Sequence, residues 1–343
     1  MTESSNGVPR MRPAEIVTRS HWQDPNEVRV ANWIREWDGA EELDAAIVGV
    51  PLARAAIKQV GANYAPNAVR QTGFFFTTYS IDFDVDLRDM VVRDLGDVDV
   101  PLIDVEQAHA NVAEAATAIF AHRPAYVPVF VGGDHSIMRP IVHGLAAGRP
   151  DVERIGIVHF DAHLDAQVLD FCGPHNGTPL RGLLGDGVGV EARNIAQIGI
   201  SGFVNGGYYR DYVREQGTTV FSARDVARGD IEAIVAEAHA IAADGTDAVY
   251  VTFDIDCMEL AYAPGTGASI SGGLNAWQAI EALYALGRQE DVVALEVSEI
   301  DPTRDFGDMT SRLGMKLILS FLAGVHQRAT RPTTAATVAS TTP

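Results

Sequence analysis

Cysteine is nearly absent. Among 343 residues only Cys172 and Cys257 occur, too few for a disulfide framework, so a reducing cytoplasm is the expected setting. Positive charge is scarce as well: 26 Lys and Arg stand against 46 Asp and Glu, a formal net charge of −20. That balance argues against nucleic acid or an anionic membrane surface as partner, and its long-range field favours cationic ligands. Long apolar runs are missing too. No stretch approaches the roughly 20 residues of a membrane span, and the polar start of the chain lacks a signal-peptide core. There is no internal repeat and no dividing linker. One domain is therefore expected over 31–328, behind a polar arm (1–30) that packs on a neighbouring subunit and ahead of a Thr-, Ala- and Pro-rich tail (329–343) expected to be disordered.

What is present is a set of strand-length apolar runs: 44–51, 91–98, 126–131, 155–160, 194–200, 248–253 and 292–297. The β-branched character of most of them suits strands buried on both faces of a parallel sheet, while 91–98, VVRDLGDV, reads as a short strand interrupted by charge. Helical segments alternate with them, at 105–122 (amphipathic and Ala-rich), 137–145, 231–243, 275–287 and 310–327. Strand-helix alternation of this kind predicts an α/β fold, a three-layer α/β/α sandwich around a doubly wound, mainly parallel sheet. Trp33 and Trp37, four apart, read as one face of a packing helix.

Chemistry concentrates where three of these strands end. The run 155–166, IGIVHFDAHLDA, releases Asp161, His163 and Asp165 at every second position. If the chain stays extended there, all three share a face. The 126–131 strand runs into Gly132, Gly133, Asp134 and His135, and the 248–253 strand into Asp254 and Asp256. Parallel strands bring such ends together on one sheet edge. Four carboxylates and two imidazoles gathered there would repel and desolvate one another unless cations sat among them. The set exceeds the needs of one ion and suits a pair roughly 3.5–4 Å apart. With no thiolate required, Mn²⁺ is favoured over structural zinc, nickel being the alternative.

GGDHS, DAHLD and the Asp-x-Asp pair within TFDIDCMEL, in this order, resemble the motif set of the manganese ureohydrolases, the arginase, agmatinase and formimidoylglutamase superfamily. The resemblance spans about residues 44–326 and implies two Mn²⁺ per subunit, hydrolysis of a C–N bond in a linear amidine, and a homo-oligomer, trimer or hexamer. It further implies that Asp161 and Asp254 bridge the ions, that His135 and Asp165 complete one, and that His163 and Asp256 complete the other. Bridging hydroxide would attack the trigonal carbon, and Asp165 would pass its proton to the leaving amine.

Glu299, in the segment Glu299-Ile300-Asp301-Pro302, matches the family carboxylate that grips the guanidinium or amidinium, and a planar cation favours bidentate contact. Glu296, three residues earlier, is the rival and is expected on the other side of the strand. In many members a proton-shuttling His directly precedes the Gly of an HGTP segment. Here Asn176 occupies that slot, as in formimidoylglutamase-like members that do not retain the His, and His175, one residue earlier, is the catalytic candidate expected to reach the site by a loop shift.

Asn63 and Tyr64, in a loop matching the family's active-site mouth, are expected to encode substrate choice; Val168, Leu169 and Phe171 are expected to face the substrate's tail. Ser269 stands where a Pro is common and is expected to reshape the pocket. The leading functional reading is agmatinase-like hydrolysis of a small cationic guanidino compound other than arginine. Formimidoylglutamase is the second, and an inactive metal-binding scaffold the third.

Overall fold

In the computed structural model, the described residues are 6–328 apart from 16–18, 59, 102 and 269. The expected tail, part of the arm and Ser269 lie outside them. The strands are β1 (Met11–Arg12), β2 (Arg35–Glu36), β3 (Ala45–Val50), β4 (Tyr79–Ser80), β5 (Val85–Asp86), β6 (Val92–Val98), β7 (Val127–Gly132), β8 (Ile155–Phe160), β9 (Val190–Ile200), β10 (Thr219–Ser222), β11 (Ala248–Asp254) and β12 (Val292–Ser298). One sheet runs in the order β1-β6-β3-β7-β12-β11-β8-β9-β10, with β2 joined to β6. It is parallel except at β1.

β3 shows why most of these runs read as uninterrupted apolar sequence. Ala45 and Ile47 enter the core on one face of the sheet, while Ala46, Val48 and Val50 enter the core on the other. Both sides of the period-two alternation are buried, so neither is polar. Helices Val105–Ala121 and Met138–Gly148 cover one face; Ala276–Gly287 and Met309–His326 cover the other. The result is the three-layer α/β/α sandwich. The first helix pair packs closely because Gly144 has no side chain: a Cβ there would lie 2.3 Å from that of Ala116.

Part of the arm contributes β1 to the chain's own sheet, pairing Met11 with Val98 and Arg12 with Asp97. One expectation is corrected. Trp33 and Trp37 are both buried but share no helix: helix Val30–Trp33 ends, and Trp37 follows β2, its indole donating to the Glu41 carbonyl.

The chain order explains the position of the site. After β7 the chain skips outward to β8, β9 and β10, then returns through β11 and β12 to fill the space between β8 and β7. The C-terminal ends of β7, β12, β11 and β8 therefore stand side by side at mid-sheet, where open α/β sheets bind ligands.

Candidate metal centre

Each of these strand ends delivers its residue through a local turn. Beyond β7, the Asp134 carboxylate accepts the Ser136 N–H at 3.1 Å, and His135 opens the short turn His135–Ile137. Asp254, the last residue of β11, accepts the Asp256 N–H at 2.8 Å and so aims both carboxylates inward. β8 already ends at Phe160, so residues 161–165 are not the extended strand that the alternation assumed. They form a turn instead. Asp161 accepts the His163 N–H at 2.6 Å, and Asp165 takes a left-handed backbone, φ 49°. Glu299 does likewise beyond β12, with φ 61°. Non-glycine residues in that region carry strain, which native folds tolerate mainly at functional sites.

The six expected ligands come together. His135 Nδ1 stands 3.1 Å from Asp161 Oδ2, 2.9 Å from Asp165 Oδ2 and 3.4 Å from Asp254 Oδ2. His163 Nδ1 stands 3.3 Å from Asp161 Oδ1 and 2.9 Å from Asp256 Oδ2. Asp161 thus turns one oxygen to each imidazole. Two groups of donor atoms result, His135 with His159, Asp161 and Asp165, and Asp161 with His163 and Asp256, each spanning no more than 4.8 Å.

Protons alone do not satisfy this cluster. One imidazole nitrogen faces three carboxylate oxygens and can donate to only one. Asp165 Oδ2, buried 2.9 Å from that nitrogen, has no well-formed hydrogen bond among the described residues. Burial, then repulsion from Asp161, pushes Asp165 up to about 6. Burial followed by Asp256 and Asp161 raises Asp254 well above the carboxylate range. Burial lowers His163, yet Asp256 and Asp161 outweigh it and push it up to about 12. Asp161 moves the other way: burial would raise it, but hydrogen bonds from His135, His159 and His163 hold it well below its ordinary value. Such opposed shifts mark a site built for charge that the protein itself does not supply. All the donors are oxygen or imidazole nitrogen. Cys257 is buried next to Asp256, its thiol pushed up by burial and then by Asp256, so it packs and does not ligate. The residues fit a pair of hard divalent cations.

Behind the ligands lies a buried polar row that sequence reasoning missed. Gln197, His159, Thr252 and Glu296 are in register across β9, β8, β11 and β12. Gln197 Nε2 donates both to the Leu164 carbonyl at 3.1 Å and to His159 Nδ1 at 3.0 Å. His159 must then carry its proton on Nε2, which donates to Asp161 Oδ2 at 2.9 Å. With both ring nitrogens engaged, His159 supports Asp161 and does not ligate. His135 Nε2 donates to Thr252 Oγ1 at 2.8 Å, leaving Nδ1 for the cluster. Glu296, expected on the opposite side of its strand, lies behind His135 at 3.7 Å from Nε2 and accepts the Tyr250 hydroxyl. The positive φ of Glu299 ends the alternation on which that expectation rested. Stepping back by two from Asp161 would have found His159.

Above the cluster opens a cavity of about 270 Å³ whose walls include Asp165, Asp254, Asp256 and Glu299. Glu299, not Glu296, lines it. Burial, then the charge of Asp134, pushes Glu299 up to about 8. Its Oε1 is already occupied, accepting from the His135 N–H at 2.9 Å and from Asn176 Nδ2 at 3.0 Å. No hydrogen bond is seen at Oε2 among the described residues, which leaves that oxygen as the one not already shared with two donors.

Three further expectations are corrected. His175 is buried away from the cavity: its Nδ1 accepts the Gly177 N–H at 3.1 Å and its N–H bonds Thr178 Oγ1 at 3.0 Å. That closed turn puts Asn176 on the wall in its place. Val168, Leu169 and Phe171 do not line the cavity; helix Leu169–Cys172 lifts Phe171 into solvent. Asn63 and Tyr64 line a separate cavity with Arg12 and Arg54, while Ile57, Lys58 and Val60 of the preceding loop reach the metal centre's cavity.

A family model described as the arginase family matches residues 43–324. Formimidoylglutamase of Halalkalibacterium halodurans is 35% identical over 288 residues, covering 84% of this chain and 89% of that protein. Mitochondrial agmatinase of Gallus gallus is 32% identical over 285 residues, 82% of this chain and 81% of that protein. The crystal structure of formimidoylglutamase from Bacillus subtilis superposes with a TM-score of 0.86 at 29% identity, covering 90% of this chain and 95% of that one.

Proposed function

Given that this chain belongs to the arginase family, hydrolases of amidino C–N bonds, we propose that it cleaves the formimidoyl group from a formimidoyl amino acid, releasing formamide and the free amine. Asn176 carries this reading. It stands where the resemblance would place a proton-shuttling His, and it holds one oxygen of the substrate-facing Glu299. A formimidoyl head has two nitrogens where a guanidinium has three, and it is met adequately through one carboxylate oxygen; the fork of a guanidinium favours two.

His135, Asp161 and Asp165 would hold one cation, and Asp161, His163 and Asp256 the other, with Asp254, 3.4 Å from His135 Nδ1, beside them; Mn²⁺ suits these donors. When bound, the pair supplies water acidified to near neutral pH as nucleophile. The chain's own groups do the rest. Glu299 Oε2 holds the amidinium N–H and fixes the carbon over the cluster. Asp165, the cluster carboxylate on the cavity wall, would take the proton of the attacking water and return it to the departing nitrogen. The C–N bond to the amine breaks, the new C–O bond remains in formamide, and the amine leaves protonated. The left-handed turns at Asp165 and Glu299 hold both carboxylates in place.

The test is product identity. Incubation of the Mn²⁺-loaded enzyme with N-formimidoyl-L-glutamate should release formamide with the highest kcat/KM among formimidoyl and guanidino compounds. Urea from a guanidino compound at a higher kcat/KM overturns the formimidoyl reading in favour of guanidine hydrolysis, and no product from any of them favours a scaffold.

A further inference from the structure

The cavity over the metal centre is lined by buried carboxylates and by an exposed ammonium. Its interior carries Asp165, Asp254, Asp256 and Glu299, each at most 6% exposed. Apart from His163, a member of the cluster, the cation on its wall is Lys58, exposed in the loop that follows β3. Lysine is rare here: the chain has two, Lys58 and Lys316, against 46 acidic residues. Lys316 is paired with Asp82 at 3.2 Å. Lys58 forms no ion pair or hydrogen bond among the described residues, although a chain of net charge −20 offers many partners. Apart from the buried carboxylates, His163 and Lys58, the described lining is uncharged, and it includes Ile57, Val60, Val204, Tyr209 and Ala268.

We propose that Lys58 receives a carboxylate on the tail of the substrate, so that the enzyme selects anionic-tailed substrates, formimidoyl or guanidino acids, over cationic-tailed diamine derivatives. The proposal rests on the amidino-hydrolase reading of the same site. A substrate with a cationic head and an anionic tail matches this lining: the head meets the interior carboxylates, the tail meets the ammonium. An ammonium tail would face Lys58 across an apolar wall with no carboxylate to receive it, and like charges brought together in a partly desolvated cleft cost binding. This polarity also opposes the chain's own acidic field. The field draws in cations of either kind, and Lys58 discriminates among what arrives.

The deciding experiment measures kcat/KM of the Mn²⁺-loaded full chain on N-formimidoyl-L-glutamate, 3-guanidinopropionate and agmatine, for wild type, Lys58→Met and Lys58→Arg. Glutarate binding to the same preparations is measured by calorimetry. Lys58→Met should lower kcat/KM on whichever carboxylated compound is turned over by on the order of 10-fold, the size expected for losing one exposed charge-assisted contact, and should raise it on agmatine. Lys58→Arg should hold the wild-type order. If the carboxylated and cationic compounds shift together, or neither shifts, the assignment of Lys58 is overturned. If wild type turns over none of them, the reaction reading fails by itself, and glutarate decides this proposal. A Kd raised about 10-fold in Lys58→Met sustains it; an unchanged Kd overturns it.

Discussion

Asn176 and Glu299, 123 positions apart in the chain, are joined by a hydrogen bond of 3.0 Å from the Asn176 amide to Glu299 Oε1. The same amide accepts the Ile57 N–H through Oδ1 at 3.0 Å, and its own backbone N–H is held by the Ala55 carbonyl. The loop after β3, the turn at Gly177 and the end of β12 therefore meet at one side chain, and the orientation of the Glu299 carboxylate depends on all three.

Replacing Asn176 with Ala should free Glu299 Oε1 and lower kcat/KM by on the order of 10-fold, mainly through KM, since a hydrogen bond to a charged group contributes about 1.5–3 kcal/mol. Asn176→Asp should do more. A second carboxylate beside Glu299 raises its pKa further, so the acid limb of the kcat/KM profile should move to higher pH. Identical pH profiles for the two variants would show that Asn176 does not act through Glu299.

Asp161 offers an oxygen to each imidazole, whereas Asp165 reaches only His135. Asp161→Asn should therefore bind fewer ions per subunit and lose more activity than Asp165→Ala, and more than the ~10–100-fold typical of residues that merely support a ligand; Asp254→Asn should do the same if Asp254 has the bridging role that the resemblance implies. Removing the metal with chelator should abolish turnover, with Mn²⁺ restoring it better than Mg²⁺ or Zn²⁺. Two ions per subunit together with wild-type turnover in either Asn variant would sink the bridging assignment.

Much of this site was legible before any coordinates, for a physical reason. A parallel sheet obliges polar ligands to appear where apolar strands stop, so Asp161, His135 and Asp254 are flagged by the ends of β8, β7 and β11. What misled was the assumption of continued extension. Alternation puts Glu296 and Glu299 on opposite faces, yet the left-handed turn at Glu299 brings both beside His135. His175 misled in the same way, because hydrogen bonds closing one turn, not residue type, decide whether it or Asn176 faces the cavity. The polar row behind the ligands was hidden for another reason. Inside a strand, His159, Thr252 and Gln197 announce themselves only once the order β12-β11-β8-β9 places them in register.

That row makes its own prediction. His159 holds Asp161 through a proton whose position is set by Gln197, and the amide of Gln197 is oriented by the Leu164 carbonyl. His159→Ala should weaken Mn²⁺ binding about 10–100-fold, as expected for a residue that orients a ligand, while each subunit still binds two ions at saturation. Calorimetric titration of metal into the chelated protein reads this directly. Unchanged affinity for both ions would reduce His159 to packing.

The last prediction concerns pH and follows from the cluster's charge when no cation is bound. Asp165 and Glu299 have their pKa values pushed up to about 6 and about 8 by burial, then by Asp161 and Asp134 respectively. Each thus binds more protons in the folded than in the unfolded chain between its ordinary value and the raised one. Stability then falls as pH rises, through roughly pH 4–6 for Asp165 and through about pH 8 for Glu299. His163, pushed up to about 12 by Asp256 and Asp161 against its burial, adds in the same direction. Its contribution is full below the ordinary imidazole pKa and is lost as pH climbs toward 12. Bound cations replace these protons and favour the ionised carboxylates and neutral imidazoles, so metal affinity rises with pH and binding releases protons. The gap in Tm between Mn²⁺-loaded and chelated protein should therefore widen steadily from pH 5 to pH 8, growing by RT ln of the gain in affinity at fixed free metal. Calorimetric scans at several pH values, with proton release measured in buffers of different ionisation enthalpy, test both halves. A gap that is flat or narrows with pH, with no proton released, would mean that these carboxylates and imidazoles are not where the ions bind.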